Sequence, residues 1–455
     1  MKVDALIAEI GSTTTVLSAF ASDGSGKLRF LSQGEHYTTV DAGDVTLGIE
    51  RAISTLKKRL NVDTLDWNIF LATSSAAGGL KMTVHGLVYD MTVKAAREAA
   101  LGAGAVIKYV SAGKLNSKDL EHIVEVDPRI ILLAGGVDYG ERETVIHNAK
   151  LLATLPLNVP VIFAGNITAT ETITEILTEA GKPVLIAENV YPRIDQLNVE
   201  PTREIIRKVF AENIIKAPGM ERIYSVVDRN VIPTPAAVML TTGLLAEHYE
   251  DVLVVDIGGA TTDVDSYTQG DPEIQKMLVA PEPLAKRTVE GDLGVFVNAK
   301  HVIDHIGETQ LRSEFSNYDS IISNISPYPT DQSAEEFIAR LATYCFETSI
   351  RRHAGRIRQL YGPTGRIEVA EGKDLTAVKL LLGTGGVLTR SRFRERIMDS
   401  VVNLGRKHIK ELLPRPDVKL GYDKNYIFAA IGILSKIDRA LALDLLEDDL
   451  CFFAH

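Results

Sequence analysis

Two seven-residue segments of this chain share one pattern, and this repeat constrains the fold more than any other feature of the sequence. Residues 9–15 read EIGSTTT and residues 256–262 read DIGGATT, so each has an acid, an isoleucine, a glycine, two small residues and two threonines. The two acids lie 256 − 9 = 247 residues apart. Each acid ends an apolar segment and each motif leads directly into another β-type segment, which predicts two β-hairpins with glycine turns.

The residue types in this repeat fit a clamp for a polyphosphate. Glycines let the backbone turn tightly and bring N–H groups close to phosphate oxygens, and the Ser and Thr hydroxyls add donors. Acids at the strand ends can hold a hydrated Mg²⁺, which keeps several waters and needs few carboxylates. An ordinary glycine turn would explain one copy, whereas two matched copies favour hairpins that grip a phosphate chain from both sides. The sequence contains no GxxxxGK(S/T) loop, no protein-kinase motif set and no GxSxG elbow.

Between the repeated motifs the chain alternates between strand and helix patterns. Three apolar runs, residues 130–134, 159–164 and 183–187, each end in a turn, and helical patterns at 141–154 and 169–180 separate them. This alternation predicts a small parallel βαβ unit inserted into the chain. Its glycine turns do not form GxGxxG, so we interpret them as plain strand-to-helix turns.

Charge and cysteine content exclude several classes of protein. The chain has 49 Lys and Arg against 60 Asp and Glu, a net charge of -11 that opposes a nucleic-acid partner. Cys345 and Cys451 are too few for a disulfide scaffold and suit a reducing cytosol. Asp4 and Glu9 interrupt any signal-peptide core, and no apolar stretch is long enough to span a bilayer. We therefore expect a cytoplasmic protein without a membrane partner.

Five motifs, taken in order, resemble those of the actin, Hsp70 and sugar-kinase superfamily. Residues 9–14 resemble its first phosphate motif and residues 256–264 its second. The segments PTPAA at 233–237 and AAIG at 429–432 resemble its connecting helices, and LLGTGG at 381–386 resembles its adenosine motif. The resemblance implies an α/β protein with the actin-like ATPase (ASKHA) fold: two RNase H-like domains around a nucleotide cleft, with an inserted α/β subdomain.

This resemblance also implies domain limits. Residues 1–90 and 216–250 would form the first actin-like ATPase domain, and residues 251–455 the second. Residues 91–215 would form the inserted βαβ subdomain, which is our candidate for the surface that docks a partner.

Within the superfamily the chain resembles the glutamate mutase-associated MutL (GlmL) family, which is unrelated to mismatch-repair MutL. The residues that carry this resemblance are 8–16, 74–80, 134–138, 233–237 and 289–294. It implies an ATPase that reactivates an adenosylcobalamin-dependent aminomutase such as glutamate mutase by exchanging damaged cobalamin. It also allows a small partner subunit that resembles a cobalamin-binding domain.

The resemblance assigns the site residue by residue, with ATP and Mg²⁺ as cofactors. Glu9 matches the first-motif acid, usually Asp, and Asp256 and Asp263 match the second-motif acids; these three are the expected catalytic residues and Mg²⁺ ligands. The expected nucleotide contacts are Gly11, Ser12, Thr13 and Thr14 at the β/γ-phosphates, Gly258, Gly259, Ala260, Thr261 and Thr262 at the γ-phosphate, and Gly383, Thr384, Gly385 and Gly386 at the adenosine.

Two departures from the Hsp70 pattern suggest slow or partner-dependent hydrolysis. Ile232 stands where the Hsp70 connecting motif carries a Glu, and no counterpart of the Hsp70 catalytic lysine can be placed. Fewer groups would then orient the attacking water and balance the γ-phosphate charge.

Other functions stay open on the sequence. A small-molecule kinase needs a catalytic carboxylate for a substrate hydroxyl, and no clear candidate presents itself. A hydantoinase or oxoprolinase-like ATP-dependent hydrolase and a structural actin-like protein use related folds.

Two weaker patterns are explained at least as well by ordinary surface structure as by a functional site. One predicted helix carries four arginines, Arg351, Arg352, Arg356 and Arg358. They could contact the nucleotide or form a solvated or partner-facing basic face. His301 and His305 are spaced as a metal pair but lack a third ligand, so we interpret them as part of a surface helix.

Overall fold

The computed structural model of the chain describes residues 1–24, 26–76, 80–214, 219–326, 329, 331–362 and 365–453. The segment 74–80, which carries part of the family resemblance, lies partly outside these residues, and the expected domain limit at 215/216 lies outside them.

The first sheet contains the N-terminal glycine hairpin. Strands β1 and β2 are antiparallel, with Glu9 opposite Val16, and β3 continues the antiparallel arrangement. Strands β4 and β10 extend the other side in parallel, which gives the order β10-β4-β1-β2-β3. The strands are β1 Lys2–Ile10, β2 Thr14–Ser22, β3 Leu28–Tyr37, β4 Asp66–Ser74 and β10 Ile232–Pro233, and helix α1, Val45–Leu60, packs on β3.

The second sheet repeats this topology around the second glycine hairpin. Strands β11 and β12 are antiparallel, with Asp256 opposite Asp263, and β13 pairs antiparallel with β12. Strands β16 and β17 add in parallel beside β11, and β18 closes the far edge, in the order β13-β12-β11-β16-β17-β18. The strands are β11 Val252–Ile257, β12 Thr262–Tyr267, β13 Ala285–Glu290, β16 Leu380–Thr384, β17 Lys419–Asp423 and β18 Leu450–Phe452.

The two sheets therefore share one plan: three antiparallel strands followed by two parallel ones on the side of the first strand. This is the RNase H-like arrangement in duplicate, and it confirms the actin-like ATPase fold expected from the sequence.

The inserted segment forms a separate parallel sheet in the order β6-β5-β7-β8-β9. The helices α2 to α5 connect its strands in turn, as expected for parallel pairing. The elements are β5 Leu80–Gly86, α2 Lys94–Gly102, β6 Ala105–Ala112, α3 Ser117–Val126, β7 Ile130–Leu133, α4 Glu143–Ala153, β8 Val161–Phe163, α5 Thr170–Glu179 and β9 Val184–Ile186.

Strand β5 lies on the N-terminal side of the expected limit at residue 90, yet it pairs with β6 and β7. The inserted sheet thus includes residues from the expected first domain. The domain limits themselves stay a prediction.

Further helices and a short β-hairpin belong to the second half of the chain. They are α8 Pro272–Gln275, α9 Ala299–Ile306, α10 Glu308–Glu314, α11 Tyr318–Ser323, α12 Gln332–His353, α13 Gly385–Arg390 and α14 Arg394–Lys407, with hairpin strands β14 Arg356–Gly362 and β15 Gly365–Glu371. The expectation that one helix carries all four arginines is wrong, because α12 ends at His353 and Arg356 and Arg358 lie on β14.

Two helices lie in the core between the two large sheets. Helix α7, Thr234–Tyr249, packs against α15, Phe428–Leu434, and their apolar side chains share one buried cluster with both sheets. Helices α6, Glu200–Asn213, and α16, Arg439–Asp449, complete the described elements used below. Within the described ranges, no helix combines the length and apolar character needed to cross a bilayer.

Candidate nucleotide site

The two glycine hairpins have the same turn geometry. The Gly11 N–H donates to the Thr14 carbonyl at 2.9 Å, and the Gly258 N–H donates to the Thr261 carbonyl at 2.9 Å. In both, the first strand ends at the isoleucine that follows the acid. The repeat seen in the sequence is therefore a repeat of local structure.

A cavity of about 420 Å³ lies where these hairpins meet. A Cβ on Gly259 would lie 4.0 Å from Thr13 Oγ1, so the two turns approach each other directly. The volume falls within the range of small-molecule sites. The lining residues are Thr13, Thr14, Val16, Ile257, Gly258, Gly259, Val295, Phe296, Ser326, Pro329, Glu335, Ile338, Gly386, Val387, Arg390, Ser391 and Tyr426.

Five of the expected nucleotide contacts line this cavity, and others lie elsewhere. The five are Thr13, Thr14, Gly258, Gly259 and Gly386. Gly11, Ser12, Ala260 and Thr261 lie in the two turns beside it. The hydroxyl of Thr262 instead donates to the Leu293 carbonyl at 2.7 Å, and the hydroxyl of Thr384 donates to Asp423 Oδ2 at 2.7 Å. Gly383 is buried inside β16.

Gly385 lies directly against Asp256, the expected second-motif acid, and its expected adenosine contact stays a prediction. It has a positive φ of 85°, and a Cβ there would lie 2.5 Å from Asp256 Oδ1 and 2.4 Å from the Ile257 carbonyl. Only glycine accommodates both the backbone conformation and this approach. The glycine turn after β16 therefore closes over Asp256.

Asp256 lies deep in the cleft among other carboxylates, where it keeps partial access to solvent. Burial raises its pKa well above the ordinary value, and repulsion from Asp263, Glu9 and Asp423 adds to the rise. Glu9 shares this environment: burial raises its pKa to about 7, opposed by a hydrogen bond that the Tyr426 hydroxyl donates to Glu9 Oε1 at 2.9 Å. The two strand-end acids, Glu9 and Asp256, therefore lie close enough to repel each other.

Asp263 has a partner of its own. Arg287 donates through Nε to Asp263 Oδ1 at 2.9 Å and through Nη2 to the same oxygen, and the Thr261 hydroxyl lies 3.2 Å from Oδ2. Arg287 is 2% exposed, so this is a buried ion pair. Both carboxylate oxygens of Asp263 already accept hydrogen bonds. The role of Asp263 as a Mg²⁺ ligand stays a prediction.

The acids fit a hydrated cation better than a direct protein cage. Among the described residues, no group of three or more Asp, Glu, His or Cys side chains is placed to hold a metal. The mutual repulsion at Asp256 is nevertheless what a divalent cation would relieve, and Mg²⁺ is commonly held by one or two carboxylates, waters and phosphate oxygens. Asp256 and Glu9 are the residues that would hold it, through water.

Sequence reasoning missed four residues of this site. Arg390 lines the cavity and donates to Glu35 Oε2 at 2.7 Å, and its guanidinium lies 5.7 Å from the ring centre of Tyr426. Asp423 accepts from the Ile427 and Phe428 N–H groups and so fixes the start of α15. For Asp423 the sequence does contain a signal, because this acid ends a strand just before the AAIG helix.

The weaker sequence patterns lie outside the cavity. Arg352 forms ion pairs with Glu290 and Asp292. His305 lies 3.3 Å from Asp292 and its ring stacks on Tyr344.

Comparisons with known sequences extend along nearly the whole chain. The model of a family described as "MutL protein" matches residues 5–450. Protein MutL of Clostridium tetanomorphum is 37% identical over 449 residues, which cover 95% of this chain and 96% of that protein.

Comparisons with solved structures give more distant likenesses. Nucleotide-free acetone carboxylase is 11% identical with a TM-score of 0.40, covering 94% of this chain and 70% of that one. Diol dehydratase-reactivating factor in its nucleotide-free form is 12% identical with a TM-score of 0.38, covering 96% of this chain and 100% of that one.

Proposed function

The chain belongs to the MutL protein family, and we propose that it is an ATP-dependent accessory protein that reactivates an adenosylcobalamin-dependent aminomutase such as glutamate mutase. In this proposal it exchanges damaged cobalamin, and a small cobalamin-domain-like subunit can take part. The observation that supports ATP binding and hydrolysis is the cavity lined by both hairpins. Thr13 and Thr14 lie on one side of it, and Gly258 and Gly259 lie on the other. The choice of mutase rests on the resemblance to the glutamate mutase-associated family.

The hairpins provide the groups that a phosphate chain requires. Backbone N–H groups in tight glycine turns and threonine hydroxyls donate to phosphate oxygens, and Arg390 supplies the cation on the cavity wall. Bound Mg²⁺ would neutralise charge that develops on the phosphates. Asp256 is the residue proposed to orient the attacking water, because it is the second-motif acid that keeps solvent access without a buried cationic partner among the described contacts.

Contacts across the cleft connect nucleotide binding to domain movement. Tyr426 and Arg390 belong to the second half of the chain, and they contact Glu9 and Glu35 of the first half. A ligand that binds one arrangement of these halves more tightly shifts the population toward it. Closure can drive remodelling of a mutase only if the nucleotide states differ in affinity for that partner.

The carboxylate on the cavity wall is poorly suited to the role of base that a small-molecule kinase needs. Among the described lining residues, Glu335 is the only carboxylate. Its oxygens accept hydrogen bonds from the Ser391 hydroxyl, the Arg392 N–H and Arg392 Nε. It is therefore poorly placed to serve as a base for a substrate hydroxyl.

The experiment is recovery of inactivated glutamate mutase by the full chain. We expect recovery with Mg·ATP, little with a non-hydrolysable analogue, and none with the Asp256→Ala variant. If none of the aminomutases tested recovers activity and the chain phosphorylates a small alcohol, the result favours the kinase instead.

A further inference from the structure

A buried arginine connects the second phosphate hairpin to the inserted segment. One face of the Arg287 guanidinium donates to Asp263, and Nη1 donates to the Leu101 carbonyl at 2.7 Å. Leu101 lies near the C-terminal end of α2, where helix carbonyls favour a cation. One side chain therefore contacts an expected catalytic acid and the end of a helix 186 residues away in sequence.

Helix α2 belongs to the inserted sheet. It is the connection from β5 to β6, the first crossover of that parallel unit. The same helix packs directly on β13, and β13 pairs with the strand that carries Asp263. A movement of the inserted sheet that displaces α2 would therefore act on the Arg287 guanidinium.

A second buried arginine also bonds both α2 and β13, but it does not contact Asp263. Arg203 on α6 donates through Nη2 to the carbonyls of Glu98 on α2 and Ala285 on β13. It is 2% exposed, like Arg287. The chain thus offers a matched pair of guanidinium groups at one interface, of which only Arg287 is hydrogen-bonded to the hairpin acid.

The neighbouring carboxylate does not compete for Arg287 in the described contacts. Asp265 lies opposite Arg287 across the β12–β13 pair, and its Oδ1 has no hydrogen-bond partner among the described residues. Arg287 is directed toward Asp263 and the α2 carbonyl instead.

We propose that Arg287 is a positioning residue that orients Asp263 while α2 is docked on β13, and so couples the inserted segment to ATP hydrolysis. This rests on the proposed ATPase function. Coupling of this kind is reciprocal for binding: a partner that displaces α2 changes nucleotide binding, and bound nucleotide changes the order of α2.

The test uses the full chain with Arg287→Met, Arg287→Lys and the matched Arg203→Met. ATP turnover, Mg·ATP affinity and hydrogen exchange of residues 94–102 are measured, the last with and without a non-hydrolysable ATP analogue. We expect the nucleotide analogue to slow hydrogen exchange of α2 in the wild-type chain. Arg287→Met should remove that protection and lower kcat by about 10–100-fold, the usual effect of losing a partner that orients a metal ligand, with a smaller change in Mg·ATP affinity. Arg203→Met, which leaves the Arg287–Asp263 contact in place, should lower kcat less than Arg287→Met does.

Arg287→Lys keeps the inference testable if the methionine variant does not fold. Lysine retains the charge beside Asp263, but its single ammonium lacks the fork that joins two acceptors. We expect a folded protein with lowered kcat in which nucleotide no longer protects α2. A wild-type kcat in either folded Arg287 variant, or unchanged nucleotide protection of α2, overturns the inference alone. A wild-type chain that does not bind Mg·ATP overturns the proposed function, and this inference with it.

Discussion

The backbone of Gly432 on α15 lies directly against Ala237 on α7, so closely that a Cβ at position 432 would lie 1.9 Å from the Ala237 carbonyl oxygen. Both residues belong to the segments that resemble connecting helices, and the two helices occupy the core between the large sheets. The absence of a side chain at this one position thus determines how closely the helices that join the halves can pack.

We expect Gly432→Ala to lower the free energy of unfolding by about 1–3 kcal/mol, the usual effect of overpacking a dense core. The nearest atom belongs to the Ala237 backbone, so the helix itself must shift, because no side chain can rotate away. Urea unfolding measures the change. The control is Gly405→Ala in α14, where a Cβ would have only ordinary contact, 3.5 Å from the Pro414 carbonyl. Equal destabilisation of both variants would show that the close approach is unimportant.

Asp256→Ala should lower ATP turnover by about 100-fold or more, because it removes the carboxylate proposed to orient the attacking water. The fold should remain intact. Steady-state hydrolysis and the unfolding midpoint check the two parts.

Stability gives an independent check on Asp256. The folded pKa is raised, so ionising this carboxyl opposes folding as pH rises above its unfolded pKa. Asp256→Asn removes that opposition, and we expect it to be at least as stable as wild type at pH 8 while inactive. Full Mg²⁺-dependent turnover in the folded Ala variant would contradict the cleft assignment.

The hairpins could be predicted from the sequence because their signal is local. An apolar run, an acid and a glycine turn specify both strand end and turn, and duplication removes the ambiguity of a single copy. The contacts between elements had no such signal. Arg287 lies in a strand whose sequence, AKRTVE, is typical of an exposed strand, yet it is buried. Tyr426 has a left-handed φ of 57°, which is uncommon for a non-glycine residue and is set by the surrounding structure.

Tyr426→Phe should move the acidic limb of the rate–pH profile upward. In wild type we expect turnover to fall as pH drops through about 7, because Glu9 then protonates. The Tyr426 hydroxyl stabilises the Glu9 carboxylate, and its net contribution of about 1 kcal/mol corresponds to a limb shift of about 0.5–1 pH unit. Tyr422→Phe, which alters a nearby ring that stacks on Phe453, is the control and should leave the limb in place.

His85 should make stability depend on pH in a lower window. It is fully buried in β5, with ring nitrogens 2.8 Å from Ser111 Oγ and 2.9 Å from Thr83 Oγ1, and burial lowers its pKa to about 4. The unfolded chain binds this proton near pH 6.5, so stability is lost as pH falls from about 6.5 to about 4, by up to about 3 kcal/mol.

Unfolding of His85→Gln and wild type across pH 4–8 measures the difference. The variant should lose less stability in this window. His122→Gln, at an exposed histidine paired with Glu125, is the matched control. Parallel pH curves for wild type and His85→Gln would show that the pKa of His85 is the same in the folded and the unfolded chain.

Variants of Arg390 and Glu35 distinguish two roles that Arg390 could have in nucleotide binding. The side chains form an ion pair at 2.7 Å between α13 and β3, and Arg390 also lines the cavity. We expect Arg390→Ala to weaken ATP binding by about 10–100-fold, the value of a hydrogen bond to a charged group. Titration calorimetry with Mg·ATP measures the affinity.

Glu35→Gln is the decisive partner variant, because it removes the charge across the cleft while leaving the guanidinium on the cavity wall. If Arg390 acts on the phosphates, this variant binds ATP at least as tightly as wild type, since the Glu35 carboxylate no longer competes with the phosphates for the guanidinium. If Arg390 acts by holding the halves together, both variants lose affinity to a similar extent, and the double variant loses no more than either. The first pattern is the one that the position of Arg390 on the cavity wall leads us to expect.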